Sequence, residues 1–128
     1  MPTFTKQERL CSKKTFEQLL KKNTSLVVHP FKIIWASQLD GGNKFPIQMA
    51  ISVPKRKFKR AVDRNRIKRM IRECYRKNKN LLYDYCLLKN KYYNLMFIYI
   101  APTEFSYTEM EHKIIIALNR LIEKFSLD

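Results

Sequence analysis

Alternating hydrophobic and polar positions predict three strands. The first runs from Val27 to Ser37, the second from Ile47 to Val53 and the third from Leu95 to Ile100. Gly41 and Gly42 lie between the first two, so we predict a turn there and a hairpin. Because successive strand residues point to opposite faces, Phe31, Ile33 and Trp35 lie on one face of the first strand and Lys32 and Ile34 on the other.

Helical spacing of apolar residues predicts the remaining elements. Ser12 is suited to cap a short first helix, in which Phe16, Leu19 and Leu20 share a face. Ser106 and Glu109 have the spacing of a capping box, which predicts the start of the last helix. Residues 78–92 could form a further helical stretch. The apolar stripe of the last helix comprises Met110, Ile114, Leu118, Leu121, Ile122 and Phe125.

A basic helix from about Ala61 to Lys77 follows the second strand, which ends before Pro54. The predicted order is therefore helix, strand, strand, helix, strand, helix. This order indicates an α+β fold in which a small mixed or antiparallel sheet packs with helices. A chain of 128 residues with 45% hydrophobic residues suits a single domain with one core, residues 1–128.

Positive charge is concentrated in one segment. The chain has 26 Lys and Arg against 11 Asp and Glu, a formal net charge of +15. Residues 55–79 hold 13 of those cations, with Asp63 and Glu73 as the only acids, and so carry +11. Solubility needs a net charge of only roughly 2 to 8 in a small domain. The excess therefore indicates a polyanionic partner.

The basic helix has two distinct faces. Ile67, Met70, Ile71, Cys74 and Tyr75 fall within one apolar arc. The opposite side carries Asn65, Arg69, Arg72 and Arg76, with Lys68 at its edge. Arginine can bond two phosphate oxygens at once or stack on a base, so this face favours nucleic acid.

Other uses of a basic helix fit less well. A solvated helix face does not need such purity of sign. A membrane-binding helix usually exposes a larger apolar face, and the most apolar stretch, Leu95 to Ala101, is too short to span a bilayer. A helix-turn-helix DNA reader requires a second helix and a tight turn just before the basic helix, and none is predicted. We therefore expect RNA, not DNA or a membrane.

The three cysteines, Cys11, Cys74 and Cys86, are odd in number and form no CxxC pair. Neither a zinc site nor a disulfide framework is indicated. Free thiols suit a reducing compartment, and the N-terminus lacks the apolar run of a signal peptide. We therefore expect a cytoplasmic protein.

An extended motif joins the end of the second strand to the basic helix. Ile51-Ser-Val-Pro-Lys-Arg56 is followed by Ala61-Val-Asp-Arg-Asn-Arg-Ile-Lys-Arg-Met-Ile-Arg72. This motif resembles the protein component of bacterial ribonuclease P. The family's hallmark is Arg-Asn-Arg followed by Lys-Arg and a further Arg, after a Ser-Val-x-Lys-Lys strand end. The resemblance extends over about residues 8–122. The sequence departs from the family where Lys59-Arg60 replace the usual Gly-Asn, and where residues 78–92 are longer than usual.

The resemblance implies a cofactor subunit rather than a catalyst. In this family the RNA subunit cleaves the 5′ leader from precursor tRNA, using Mg2+ held largely by RNA. The implied fold is ribosomal-protein-like, with a left-handed βαβ crossover. The implied partners are the catalytic RNA subunit, with one protein per RNA, and precursor tRNA. We expect the protein itself to bind no cofactor.

Site residues can be carried over only by position. The RNA-subunit-binding surface would comprise Arg64, Asn65, Arg66, Lys68, Arg69 and Arg72. The precursor-tRNA leader cleft, between the first helix and the sheet, would comprise Phe16, Lys13, Lys32, Ser52 and Lys55. Leu20 and Ile34 stand where the family often has aromatic residues, so a base would find no ring to stack on there.

No catalytic constellation is evident in the sequence. His29 and His112 are isolated, and no histidine–carboxylate cluster has metal-ligand spacing. We therefore predict no catalytic and no metal-binding residues. The leading hypothesis is a ribonuclease P protein subunit, which assists an endoribonuclease whose RNA carries the chemistry. The alternative is a ribosomal or other structured-RNA-binding assembly protein that uses the same helix.

Overall fold

The computed structural model describes Phe4, Glu8, Arg9, Glu17, Lys21 and residues 24–38 and 45–127. The predicted first helix, with Phe16, and the predicted glycine turn lie outside the described residues, although Glu17 itself is helical. The described elements are β1 (Ser25–Val28), β2 (Phe31–Ser37), β3 (Ile47–Ser52), α1 (Ala61–Asn78), α2 (Asn80–Leu88), β4 (Tyr93–Tyr99) and α3 (Tyr107–Phe125). The predicted α+β class is confirmed, as are the basic helix and a helix within residues 78–92.

The predicted strand from Val27 to Ser37 is wrong, because it is two strands. A turn at His29 and Pro30 separates β1 from β2, which then pair antiparallel. Proline has no backbone N–H and cannot continue a ladder, so Pro30 was the signal for the break.

The predicted hairpin between the strands flanking the two glycines is also wrong. The sheet order is β1-β2-β4-β3, so β4 lies between β2 and β3. It pairs antiparallel with β2 and parallel with β3. The chain therefore crosses from β3 to β4 through α1 and α2, which is a βαβ unit. The left-handedness of this crossover stays an expectation from the resemblance.

The two faces of the sheet differ in what they bury. On the core face, Phe31, Ile33 and Trp35 of β2 join the apolar side chains of α1 and α3 in one cluster. The other face, called the second face below, has a smaller cluster in which Ile34 is 5% exposed and Met96 is fully buried. Because β2 and β4 each contribute to both clusters, these two inner strands of the sheet are buried on both sides.

Local signals fix the ends of two helices. The Glu109 N–H donates to Ser106 Oγ at 3.2 Å, and the Ser106 N–H donates to Glu109 Oε1 at 3.3 Å, so the predicted capping box is confirmed. Beyond α2, Asn90 adopts a positive φ of 54°, and the Lys91 N–H donates to the Cys86 carbonyl at 2.9 Å. This is a Schellman-type stop with asparagine in the left-handed position.

A buried ion pair ties the N-terminal part of the chain to the junction of α1 and α2. The Lys79 ammonium donates to Glu8 Oε2, and the Tyr83 hydroxyl donates to the same oxygen at 2.7 Å. Both charged side chains are almost fully buried. A buried pair needs such additional hydrogen bonds to offset desolvation, which the tyrosine supplies here. Arg9 then forms a parallel bridge to Met49 of β3.

Cys74 and Cys86 are free, buried thiols. Burial raises the pKa of Cys74 from 9.0 to about 11 and that of Cys86 from 9.0 to about 12. It also raises the pKa of the Tyr75 and Tyr83 hydroxyls well above their usual range. All four groups keep their protons in the folded chain at pH values where the unfolded chain loses them.

This difference predicts a fold that weakens in alkali. The free energy of unfolding should be level up to about pH 9 and then fall, because unfolded thiols ionise there while the folded ones stay protonated. Each such group contributes a slope of about 1.4 kcal/mol per pH unit. Urea unfolding followed by Trp35 fluorescence from pH 7 to 11 measures it. Cys74→Ala should flatten the slope between pH 9 and 11, and an unchanged slope in that variant would contradict this account.

Candidate nucleic-acid interface

The basic helix α1 is held by its apolar side. Ile67, Ile71, Cys74 and Tyr75 are fully buried, and Met70 is half-buried against the same cluster. The predicted inward face is therefore confirmed. Because a helix turns about 100° per residue, this docking fixes which side chains face solvent on the opposite side.

The loop that leads into α1 is held by one arginine of the Arg-Asn-Arg motif. Arg64 Nη1 donates to the carbonyl oxygens of Phe58 and Lys59, each at 2.8 Å. Lys57 Nζ donates to the Ile100 carbonyl, which joins this loop to the end of β4. The Arg64 side chain thus holds the loop through hydrogen bonds to two of the loop's backbone carbonyls.

The outer face of α1 consists of Asn65, Arg69 and Arg72, all exposed. Half-buried Lys68 flanks it on one side. Among the described residues, no carboxylate lies within ion-pair distance of Lys68, Arg69 or Arg72. The described residues therefore do not neutralise the charge of these three side chains, and Arg69 and Arg72 are exposed to solvent.

The other flank of α1 is neutralised by acids. Arg66 Nε and Nη2 donate to the two carboxylate oxygens of Glu104, at 2.7 and 2.8 Å. Nη2 also donates to Asp63 Oδ1 at 2.8 Å, and Arg60 lies 3.9 Å from the same carboxylate. These carboxylates raise the pKa of Arg66 above its usual range, and the hydrogen bonds to Glu104 are the largest cause.

Arg76 departs from its predicted place on the outer face. It pairs with Glu73, one turn back, at 2.5 Å from Nη2 to Oε1, and its side chain is only 21% exposed. The hydrogen bond from Arg76 lowers the pKa of Glu73. Arg76 is thus engaged within the helix.

A row of residues crosses the second face of the sheet at one end. Lys32 pairs with Val27 of β1 and with Ile98 of β4, and Ile98 in turn pairs with Ser52 of β3. Lys32 and Val27 are exposed, whereas Ile98 and Ser52 are half-buried. This open row differs from the next row inward, where Ile34 and Met96 are buried.

The open row brings together part of the expected leader cleft. Lys32 and Ser52 lie in it, and exposed Lys55 follows Ser52 by three residues. Phe16 and Lys13 lie outside the described residues. Ile34, where the family often has an aromatic residue, is buried. Sequence reasoning missed Val27 and Ile98, because only the strand register aligns them with Lys32.

The described residues contain no group of three or more His, Cys, Asp or Glu side chains that could hold a metal ion. Within the same residues, no helix is long and apolar enough to cross a membrane.

Comparison with known proteins decides the family. The family model described as Ribonuclease P matches residues 4–122. The chain belongs to the ribonuclease P protein family. The resemblance of the Arg64–Arg72 motif to this family is therefore confirmed, and membership supports the role of a ribonuclease P subunit. A ribosomal or other assembly protein is no longer favoured.

Two bacterial relatives illustrate the similarity. The ribonuclease P protein component of Porphyromonas gingivalis is 34% identical over 103 residues, which cover 78% of this chain and 74% of the relative. That of Petrotoga mobilis is 37% identical over 92 residues, which cover 70% of this chain and 74% of the relative.

Solved ribonuclease P proteins share the fold. The protein from Staphylococcus aureus superposes with a TM-score of 0.70 at 21% identity, covering 89% of this chain and 94% of that one. The protein from Thermotoga maritima gives a TM-score of 0.69 at 22% identity, covering 88% and 96%. The α+β architecture is thus that of ribonuclease P proteins.

Arg64 should matter for stability more than its neighbours on the outer face. Arg64→Met removes the donors to Phe58 and Lys59 and should lower the free energy of unfolding by about 1 kcal/mol. The matched change Arg69→Met should stay within about 0.5 kcal/mol of the parent, as exposed substitutions usually do. Urea titrations of the two variants compare them. Equal losses would show that the Arg64 contacts do not hold the loop.

Proposed function

We propose that this chain is the protein subunit of a bacterial ribonuclease P, acting in the cytoplasm with one protein per RNA. It binds the catalytic RNA subunit through the outer face of α1 and the 5′ leader of precursor tRNA through the open row. The observation that carries the proposal is an exposed group in a member of this family, Asn65, Arg69 and Arg72, with no described carboxylate within ion-pair distance of its arginines.

The outer face suits the backbone of a structured RNA. Arg69 and Arg72 are three residues apart, so they are neighbours on the helix surface. Each guanidinium can bond two phosphate oxygens and release condensed counterions. The Asn65 amide has both donors and an acceptor, so it can bond a base or a ribose. Lys68 adds a point charge at the edge of this face.

The open row suits a single strand rather than a duplex. Val27 and Ile98 present apolar surface on which a ribose or a base can lie, and Lys32 between them can meet a phosphate. Ser52 adds a hydroxyl, and Lys55 continues the positive charge beyond the end of β3. A grip that combines apolar contact with cations is tolerant of sequence. Because Ile34 is aliphatic and buried, and Phe31 and Trp35 point into the core, β2 offers no aromatic stacking platform on the second face.

In this proposal the chemistry belongs to the RNA subunit, which uses Mg2+ to cleave the phosphodiester bond at the 5′ end of tRNA. The protein contributes binding energy and position. It neutralises phosphates that would otherwise repel one another when RNA subunit and substrate meet, so its effect should be largest where Mg2+ is scarce.

Reconstitution with the cognate RNA subunit tests the proposal. At low Mg2+ the protein should stimulate leader cleavage. Arg69→Ala and Arg72→Ala should each make the negative slope of log affinity against log salt less steep by about 1. The matched control Arg120→Ala, an exposed arginine of α3, should leave the slope unchanged. Failure to stimulate cleavage relative to the RNA alone would contradict the proposal.

The leader contact needs its own arm of this experiment. Lys32→Glu should weaken binding of precursor tRNA to the reconstituted enzyme about fivefold, corresponding to about 1 kcal/mol. It should not affect mature tRNA, which lacks a leader. Lys124→Glu makes the same change of charge on the exposed end of α3 and should affect neither. Equal weakening of both tRNAs by Lys32→Glu would place this contact away from the leader.

A further inference from the structure

Arg66 differs from the other cations of α1 in that two carboxylates hold it. We propose that Arg66 is a positioning residue that stays paired with Glu104 when RNA binds. The RNA footprint on α1 would then be confined to the outer face and its Lys68 edge. The inference rests on the proposed function, since it assigns roles within the same RNA-binding surface.

The geometry leaves Arg66 poorly placed to bind a phosphate. An arginine meets an oxyanion best with two parallel N–H donors. In Arg66, Nε and Nη2 already make that contact with the two oxygens of Glu104, and Nη2 also donates to Asp63. A phosphate would have to displace Glu104 or accept the remaining donors at a poorer angle.

Charge on this flank also disfavours RNA. Arg60, Asp63, Arg66 and Glu104 form a group of two cations and two anions, with no net charge. A phosphate brought to Arg66 would therefore meet two carboxylates at close range. The opposite flank carries Lys68, and no described carboxylate lies within ion-pair distance of Lys68, Arg69 or Arg72. A polyanion will settle where its charge is not opposed.

The pair has a definite structural task. Glu104 lies in the loop between β4 and α3, two residues before the cap of α3 at Ser106. On its other side the loop is held by Tyr99, whose hydroxyl donates to the Thr103 carbonyl at 2.8 Å and accepts from the Phe105 N–H at 3.2 Å. Arg66 thus ties α1 to a loop that is already anchored to the sheet, and so limits movement of the helix's N-terminal half.

Salt dependence of binding to the RNA subunit separates positioning from phosphate contact. Arg66→Ala should weaken binding but keep the parent's negative slope of log affinity against log salt. Arg69→Ala, by contrast, should make that slope less steep by about 1. Glu104→Gln breaks the same pair and should not tighten binding, since the exposed charge that it removes is screened beyond about 8–10 Å. The double variant should be no weaker than Arg66→Ala alone. Exchange of the backbone amide hydrogens in residues 100–106 should be faster in Arg66→Ala and in Glu104→Gln than in the parent.

The opposite results would overturn the inference. Two results together would show that Arg66 binds a phosphate for which Glu104 competes. The slope would be less steep by about 1 in Arg66→Ala, and binding would be at least fivefold tighter in Glu104→Gln. Arg66→Lys is a further check, because lysine keeps the charge but not the two-pronged contact. Arg66→Lys should speed amide hydrogen exchange in the loop as Arg66→Ala does. If the loop of Arg66→Lys exchanges as slowly as that of the parent, the positioning role is contradicted.

Controls separate this inference from the proposed function. Arg120→Ala and Glu123→Gln make the same charge changes at exposed sites of α3 and should alter neither slope nor loop exchange. If Arg69→Ala itself leaves the slope unchanged, the outer face is not the RNA contact and the proposed function fails. If Arg69→Ala and Arg66→Ala make the slope less steep by equal amounts, only the role assigned to Arg66 fails.

Discussion

The docking of α1 by its apolar side is the constraint on which the rest of the surface depends. Ile67, Ile71, Cys74 and Tyr75 are fully buried, so the helix cannot rotate without exposing them to water. Full burial of an isoleucine side chain alone stabilises a fold by about 1.5–3 kcal/mol. That fixed rotation turns a segment of high positive charge into a directed surface, on which Asn65, Arg69 and Arg72 face outward together.

The cations of α1 fall into three kinds, according to the groups that they contact. Asp63 and Glu104 engage Arg66 on one flank, and Glu73 engages Arg76, while Arg69 and Arg72 have no described acid within ion-pair distance. Arg64 forms a third kind, since backbone carbonyls occupy it. A dense basic motif therefore does not mean that every cation meets RNA. Some of them hold the helix and its loops so that the remaining ones are presented correctly.

Local patterns carried most of what the sequence could predict. The apolar arc of α1 and the capping box of Ser106 depend on residues a few positions apart, and both were confirmed. The sheet order and the Arg66–Glu104 pair join distant parts of the chain, which periodicity does not reveal. Two signals in the sequence do point to the observed sheet: Pro30 as a strand break, and the unbroken apolar run of residues 95–100, which is typical of a central strand. With β4 placed centrally, the hairpin around Gly41 and Gly42 would not have been predicted.

The central claim is that two surfaces of one small domain hold two different RNAs. Photo-crosslinking from the reconstituted enzyme tests it most directly, with p-benzoylphenylalanine placed at one of two exposed valines. Val62 begins the outward side of α1 and is 52% exposed, and Val27 ends the open row and is 56% exposed. The account predicts that position 62 crosslinks to the RNA subunit and position 27 to leader nucleotides of precursor tRNA. Crosslinks from both positions to the same RNA, or the reverse assignment, would contradict it.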